Sequence, residues 1–250
     1  MFAQFLLAAV VPVSLLAQTP DSGVAVTSAP PAAKASLTPE DRGDIFMARK
    51  MFREAIDQYR QMPETAPTLN KIGIAYHQTL DLKAAQRYYE RAIKRDPHFG
   101  EAVNNLGAVY YAEKRYGRAL HQYEKAVKLS PNSASIYSNL GTAHFARKEY
   151  SEAFEAYQHA LKLDPEVFSH HSSYGVLLQE TDVAERARYH YFLAKMYAQA
   201  GMLDQALQCI RKSLEEGFKE RDKFIEDPEF AVLKDNEEYK ALMAQEPRAL

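Results

Sequence analysis

The feature that most constrains this chain is a 34-residue pattern that occurs twice in succession. Residues 101–134 and 135–168 carry the same residue types at corresponding places when the first segment is shifted by 34 onto the second. The matching pairs are Asn105 and Asn139, Leu106 and Leu140, Gly107 and Gly141, Ala119 and Ala153, Tyr123 and Tyr157, and Pro131 and Pro165. Such a period predicts a stacked repeat protein, because one unit cannot bury its own apolar face and needs its neighbours to complete the core.

Within each unit, the spacing of small, aromatic and proline residues predicts two antiparallel helices. Spacings of three and four place the small and aromatic residues on one stripe of each helix, where the two helices approach closely. A proline then ends the second helix, because it lacks the amide donor and clashes with the preceding turn. The residues concerned are the glycines 73, 107 and 141, the alanines 85, 119 and 153, the tyrosines 89, 123 and 157, and the prolines 97, 131 and 165.

This pattern, L-G-x-x-Y followed by A-x-x-x-Y-x-x-A and a closing proline, resembles the tetratricopeptide repeat. Two outlying copies match less fully: one around Gly43 and Tyr59, and one around Ala194 and Ala206. The resemblance implies an all-α fold, namely a right-handed α-solenoid of about five tetratricopeptide helix pairs. The units are expected at about 37–66, 67–99, 100–133, 134–165 and 187–219, which gives an array over 37–219.

Two segments after the fourth unit depart from the repeat. The step from Gly141 to Ala194 is 53 residues, 19 more than one period, so we expect an extra helix over 166–182, before the last pair. In 220–250, apolar residues alternate with dense charge, which is typical of C-terminal capping helices that cover an exposed repeat face.

The N-terminal region carries targeting information rather than a folded unit. Residues 1–17 form an uncharged apolar run, shorter than the roughly 20 residues that span a bilayer, and they suit a signal peptide. Residues 18–36 are rich in Pro, Ala, Ser and Thr and predict a disordered linker. Thr38 followed by Pro39 predicts the first helix start. We expect an exported protein of bacterial type that is periplasmic or secreted. The alternative is that an uncleaved leader anchors the protein, and this leader is the only part expected to contact a membrane.

Composition and motifs argue against several other functions. A net charge of -2 leaves no basic surplus for phosphates, so no nucleic-acid partner is expected. The single cysteine, Cys209, excludes an intramolecular disulfide and a thiolate zinc site. The adjacent His170 and His171 would point about 100° apart on a helix and are poor joint ligands. No catalytic or nucleotide-binding motif is present, so we expect a non-enzyme without cofactor or metal.

The family resemblance implies that the first helix of each unit lines a concave groove. Asn105 and Asn139 occupy equivalent places there, and an Asn amide matches the donors and acceptors of an extended peptide. The alternative is that each Asn bonds within its own turn. Tyr111 and Phe145 would add aromatic surface for apolar side chains. The groove residues expected to bind peptide are Asn70, Lys71, His77, Asn104, Asn105, Tyr111, Ser138, Asn139, Thr142 and Phe145.

The leading expectation is a scaffold that binds an extended peptide or protein segment in this groove. The clamp with which some family members hold a C-terminal carboxylate is not expected, because Ser135 and Asn139 stand where its cations belong. The alternative is a cell-envelope assembly factor that acts through its ends or its convex face.

Overall fold

The computed structural model describes residues 37–168 and 182–244, and this part of the chain is helical. The predicted signal peptide 1–17 and linker 18–36 lie outside these residues, as does most of the predicted extra helix 166–182. The helices are α1 (Pro39–Ala48), α2 (Phe52–Tyr59), α3 (Ala66–Gln78), α4 (Leu82–Arg95), α5 (Gly100–Ala112), α6 (Tyr116–Leu129), α7 (Ala134–Ala146), α8 (Tyr150–Leu163), α9 (Val183–Gln199), α10 (Leu203–Glu215), α11 (Lys223–Glu226), a 3₁₀ helix (Pro228–Leu233) and α12 (Glu237–Ala244).

Helices α1 to α10 pack as five successive antiparallel pairs, which confirms the predicted all-α solenoid of helix pairs. Each of the α4, α6 and α8 helices ends two residues before its proline, at Arg95, Leu129 and Leu163. The helix start predicted at Thr38 and Pro39 is observed: the Thr38 hydroxyl accepts a hydrogen bond from the backbone N–H of Asp41.

One contact recurs at the seam of the first four pairs. A tyrosine of the second helix packs against a glycine of the first, and a Cβ atom on that glycine would lie 2.3–2.7 Å from the nearest ring carbon. The ring therefore occupies the space that a side chain would need. The four tyrosines are 0–1% exposed. The contact pairs are Gly43 with Tyr59, Gly73 with Tyr89, Gly107 with Tyr123, and Gly141 with Tyr157.

The fifth pair departs from this rule in sequence and in position. Ala194 and Ile210 occupy the glycine and tyrosine places, and both are completely buried. Helix α9 begins at Val183, four residues ahead of the predicted limit of 187, because the Asp182 side chain caps it by accepting from the N–H of Ala184. Residues 166–168 form a turn, and α8 and α9 share a smaller interface than the earlier neighbouring units do.

The segment after α10 packs back onto the last pair. Phe224, Phe230 and Leu233 are fully buried, and Tyr191 of α9 stacks on Phe218 with ring centroids 4.7 Å apart. Helix α11, the 3₁₀ helix and α12 therefore form a cap on α9 and α10. Among the described helices, none has the length and apolar character needed to cross a membrane.

The glycine–tyrosine contact yields a stability prediction with an internal control. We expect Gly107→Ala to lower the free energy of unfolding by about 1–3 kcal/mol, because the new methyl group meets the immobile Tyr123 ring. Gly117 lies on the exposed face of α6, where an added Cβ meets only the end of the Arg147 side chain. Gly117→Ala should be neutral or stabilise by up to about 1 kcal/mol. Chemical denaturation measures the free energy of unfolding of both variants. Equal losses in Gly107→Ala and Gly117→Ala would contradict a specific role for the glycine–tyrosine contact.

Candidate peptide-binding groove

The inner face of the array is formed by the first helices of the units. Helix α3 contacts α5, and α5 contacts α7, more closely than the second helices contact one another. The array therefore curves with the first helices on the inside. The predicted groove residues all belong to these three helices: Asn70, Lys71 and His77 lie on α3, Asn104, Asn105 and Tyr111 on α5, and Ser138, Asn139, Thr142 and Phe145 on α7.

The four asparagines form one row of hydrogen bonds across three units. Asn139 Nδ2 donates to Asn104 Oδ1 at 2.9 Å, and Asn105 Nδ2 donates to Asn70 Oδ1 at 3.0 Å. Asn104 Nδ2 completes the row with a 3.3 Å bond to Asn105 Oδ1. All four are buried, which makes these bonds costly to lose. The asparagines therefore do not bond only within their own turn. Asn139 and Asn105 each donate to an asparagine of the preceding unit.

The remaining predicted residues differ in how far they are exposed. Tyr111, Thr142 and Phe145 are buried, whereas Lys71, His77 and Ser138 are partly exposed. The structure therefore places the predicted aromatic surface inside the array, and the accessible part of the set lies on α3 and α7.

The aromatic members of the set pack against other rings of the chain. The Phe145 ring lies 5.3 Å from that of Tyr150 and 5.6 Å from that of Tyr189, both edge-on. Tyr111 lies 5.2 Å from Tyr116. Such pairs contribute packing energy to the array itself. The Phe145 ring therefore packs between the fourth and fifth units, whereas the Tyr111 ring packs on the second helix of its own unit.

Lys71 is neutralised from within the chain. Its Nζ lies 2.9 Å from Glu40 Oε1 and 2.8 Å from Asp44 Oδ1, on the neighbouring helix α1. Partial burial works against the charged form, but the hydrogen bonds to Asp44 and Glu40 outweigh it and raise the pKa of Lys71. An ammonium that already has two carboxylate partners is poorly suited to hold a third.

A cavity of about 640 Å³ opens beside this ion pair, between α1 and α3. Its walls combine apolar side chains such as Met47, Phe52 and Ile74 with the charged Asp44 and Lys71. His77 lies near the same end of the groove, where burial lowers its pKa and keeps it neutral at pH 7. The N-terminal end of the groove thus combines an open cavity with apolar walls and one ion pair.

Sequence reasoning missed a set of tyrosine hydroxyls that reach the inner face. The Tyr59 hydroxyl donates to Asp44 Oδ1 at 2.6 Å, and the Tyr157 hydroxyl donates to Thr142 Oγ1 at 3.2 Å. Each acceptor is the residue that follows the seam glycine, 15 positions before the tyrosine. The signal was present in the sequence, since all four seam residues are Tyr and none is Phe.

The inner face of the fifth unit is occupied by the chain itself. By the repeat register, Tyr191 and Lys195 correspond to Ser138 and Thr142, which lie in the groove of the fourth unit. The Tyr191 hydroxyl donates to the Asp227 carboxylate, and Lys195 Nζ lies 3.2 Å from Asp227 Oδ2 and 3.3 Å from Glu229 Oε2. The cap therefore closes the groove at its C-terminal end.

The described residues 37–168 and 182–244 contain no group of three His, Cys, Asp or Glu side chains that is arranged to hold a metal ion. His170 and His171 lie outside these residues. His190 Nδ1 is 2.6 Å from Glu216 Oε2. Cys209 is buried, and burial raises the pKa of its thiol to about 12, so it is a core residue and not an activated nucleophile.

The fold and this inner face define a helical-repeat scaffold. A model described as TPR repeat matches residues 107–147, and models described as tetratricopeptide repeat match 134–167, 66–99 and 187–216. Together these matches cover half of the chain. The chain belongs to the tetratricopeptide repeat family, and its repeats indicate a protein–protein interaction scaffold.

Solved structures of similar fold include two described as MamA proteins. "Crystal structure of MamA" is 22% identical, covers 70% of this chain and 94% of that chain, and has a TM-score of 0.48. "MamA 41-end from Desulfovibrio magneticus RS-1" is 24% identical, covers 70% of this chain and 90% of that chain, and has a TM-score of 0.47. At this level, the likeness does not extend to a partner or an activity. None of the curated proteins matches the chain.

The asparagine row predicts energetic coupling between neighbouring units. Asn139→Ala should lower the free energy of unfolding by about 1–3 kcal/mol, because it leaves buried Asn104 Oδ1 without this donor. The double variant Asn104→Ala/Asn139→Ala should lose less free energy of unfolding than the sum of the two single variants, because both single changes remove the same hydrogen bond. The exposed Asn132 offers a control, and Asn132→Ala should stay within about 0.5 kcal/mol. Strict additivity in denaturant unfolding would show that the two side chains do not interact.

Proposed function

We propose that this protein is a non-enzymatic scaffold that binds an extended segment of a partner protein along the inner face of its first four units. The observation that carries the proposal is the self-occupied fifth unit. There, side chains at groove positions already hold a polypeptide segment, the chain's own Asp227–Leu233, through Tyr191 and Lys195. The equivalent positions of the first four units have no such cap in the described part of the chain.

The chemistry of the inner face favours a peptide over other ligands. The middle of the groove is uncharged, because its asparagines are buried and bonded to one another. The partly exposed Ser138 beside them carries a hydroxyl that can bond either a peptide N–H or a peptide C=O. At the N-terminal end, the carboxylates of Glu40 and Asp44 outnumber the single ammonium of Lys71. A phosphate backbone would be repelled there. The proposed ligand is therefore a protein segment and not a nucleic acid.

A photo-crosslinking experiment tests where the partner lies. The photoreactive benzoylphenylalanine is placed at His77 or Ser138 in the groove, and at Ile225 or Val232 on the cap. The cap residues are good controls because they are 55% and 53% exposed. After irradiation in the cells that make the protein, mass spectrometry identifies what each position captures. We expect one partner to be captured from both groove positions and not from the cap.

Capture from the cap alone would contradict groove binding. It would favour the second candidate, a cell-envelope assembly factor that acts through its ends or convex face. The exposed Ile225 and Val232 supply the apolar surface for that function, since large exposed apolar side chains mark contact sites when they cluster.

We also propose that the protein is exported, to the periplasm or outside the cell, on the basis of the apolar leader 1–17. N-terminal sequencing of the protein purified from its native cells tests this. Export predicts a mature chain that starts near residue 18 and fractionates with the soluble envelope. An intact leader in the membrane fraction would support anchoring, and an intact leader in the cytosol would contradict both.

A further inference from the structure

Aromatic pairs on the inner side of the third and fourth units show how that part of a unit is filled. In each pair, a ring of the first helix packs against a ring at the start of the second helix. Tyr111 lies 5.2 Å from Tyr116, and Phe145 lies 5.3 Å from Tyr150, measured between ring centroids. Tyr111 and Phe145 each stand four residues after the seam glycine, and they are only 4% and 2% exposed. Each of these units therefore fills the position with a ring of its own.

The first unit has the same two positions but only one ring. Met47 stands four residues after Gly43, at the position of the two buried rings, and Phe52 stands at the position of their partners. Met47 and Phe52 are both partly exposed, and both line the cavity of about 640 Å³ between α1 and α3. A methionine side chain is flexible and supplies no ring to Phe52. The cavity therefore opens where the third and fourth units have an aromatic residue.

The walls and the volume of the cavity suit an aromatic side chain. Met47, Phe52 and Ile74 give it apolar walls, and its volume lies within the range of about 300–1,000 Å³ that is usual for ligand pockets. The Tyr59 hydroxyl at the same cavity already donates to Asp44. A ring that enters the cavity can pack edge-on or offset against Phe52, and such ring pairs add to the energy of apolar burial.

The charges beside the cavity favour a basic residue next to that ring. The side chains of Glu40 and Asp44 are 51% and 53% exposed, whereas that of Lys71, which contacts both, is 28% exposed. Two negative charges against one positive charge attract a cation and disfavour an acidic side chain. Lys50 also lines the cavity, but from the turn after α1. The basic residue is therefore expected toward the start of α1.

We infer that an aromatic side chain of the partner segment enters this cavity and packs against Phe52, in the place that Tyr111 and Phe145 occupy in their own units. A basic residue beside it pairs with the carboxylates of Glu40 and Asp44. This inference rests on the proposed function and makes it more specific, because it gives the partner segment a two-residue signature and places its anchor at the N-terminal end of the groove.

The first test identifies the anchor on the ligand. The probe is a fluorescein-labelled 12-residue peptide, selected from a random phage-displayed library on the full chain and measured by fluorescence anisotropy. We expect the selected peptides to share an aromatic residue next to a basic one. Changing the aromatic residue to Ala should weaken binding about tenfold or more, as for other buried aromatic anchors. Changing the basic residue to Ala should weaken binding about twofold to fivefold, and by less at high salt.

A variant of the chain supplies the missing ring from within. Met47→Phe gives the first unit the residue that the fourth unit has at Phe145. The new ring should pack on Phe52, raise the melting temperature and weaken peptide binding about tenfold or more. Weaker binding by a more stable protein cannot be explained by misfolding. In this variant, changing the aromatic residue of the peptide to Ala should cost less than about threefold, because the cavity is already filled.

Met51→Phe is the matched control for this variant. Met51 is exposed and is not among the residues that line the cavity. The same substitution there should leave the peptide affinity within about twofold of the original chain. An equal loss of affinity in Met47→Phe and Met51→Phe would contradict an anchor in the cavity.

The possible results distinguish this inference from the function on which it rests. Peptides that crosslink from His77 or Ser138 but share no aromatic residue, or that bind Met47→Phe as tightly as the original chain, would overturn the anchor and leave groove binding intact. A lower melting temperature for Met47→Phe would also overturn the anchor, because the cavity would then not accept a ring. Failure to select any peptide, or crosslinking only from Ile225, would overturn both.

Discussion

The close contact between a glycine of one helix and a tyrosine ring of the next is the interaction on which the rest of this structure depends. With a ring carbon 2.3–2.7 Å from where a Cβ would stand, the two helices of a unit approach to one fixed distance. The same contact recurs in each of the first four units. The contact also has a chemical result, because it carries a tyrosine hydroxyl through the seam to the inner face.

The repeat register made much of the fold predictable. The period located the helix pairs, the prolines located the ends of α4, α6 and α8, and Thr38 located the start of α1. These features depend on local backbone chemistry and on contacts within one unit or between adjacent units. The residues of the groove could be named for the same reason, since one helix face repeats in each unit.

The partners of those residues could not be predicted, because they depend on how neighbouring units are rotated against one another. The bonds from Asn139 to Asn104 and from Asn105 to Asn70 join residues 35 apart, one more than the period. Lys71 pairs with α1, whose unit matches the repeat only weakly. The cap reaches α9 through contacts such as Tyr191 with Asp227, which no repeat pattern contains.

These contacts narrow the surface that is left for a partner. The fifth unit is covered by the cap, Lys71 is held by two carboxylates, and Phe145 lies within an aromatic cluster. What the first four units retain is the cavity between α1 and α3 and the partly exposed side chains of His77 and Ser138. This surface favours the proposed polypeptide ligand, with one side chain received in the cavity at the N-terminal end. Because Lys71 is already paired, the inner face offers little basis for recognition of a terminal carboxylate.

The most direct test of the central claim is a crystal structure of the chain with its bound peptide. The account predicts an extended segment on the inner face of the first four units, in contact with the partly exposed side chains of His77 and Ser138. A peptide seated on the cap or on the convex face, with the inner face of α5 unoccupied, would contradict it.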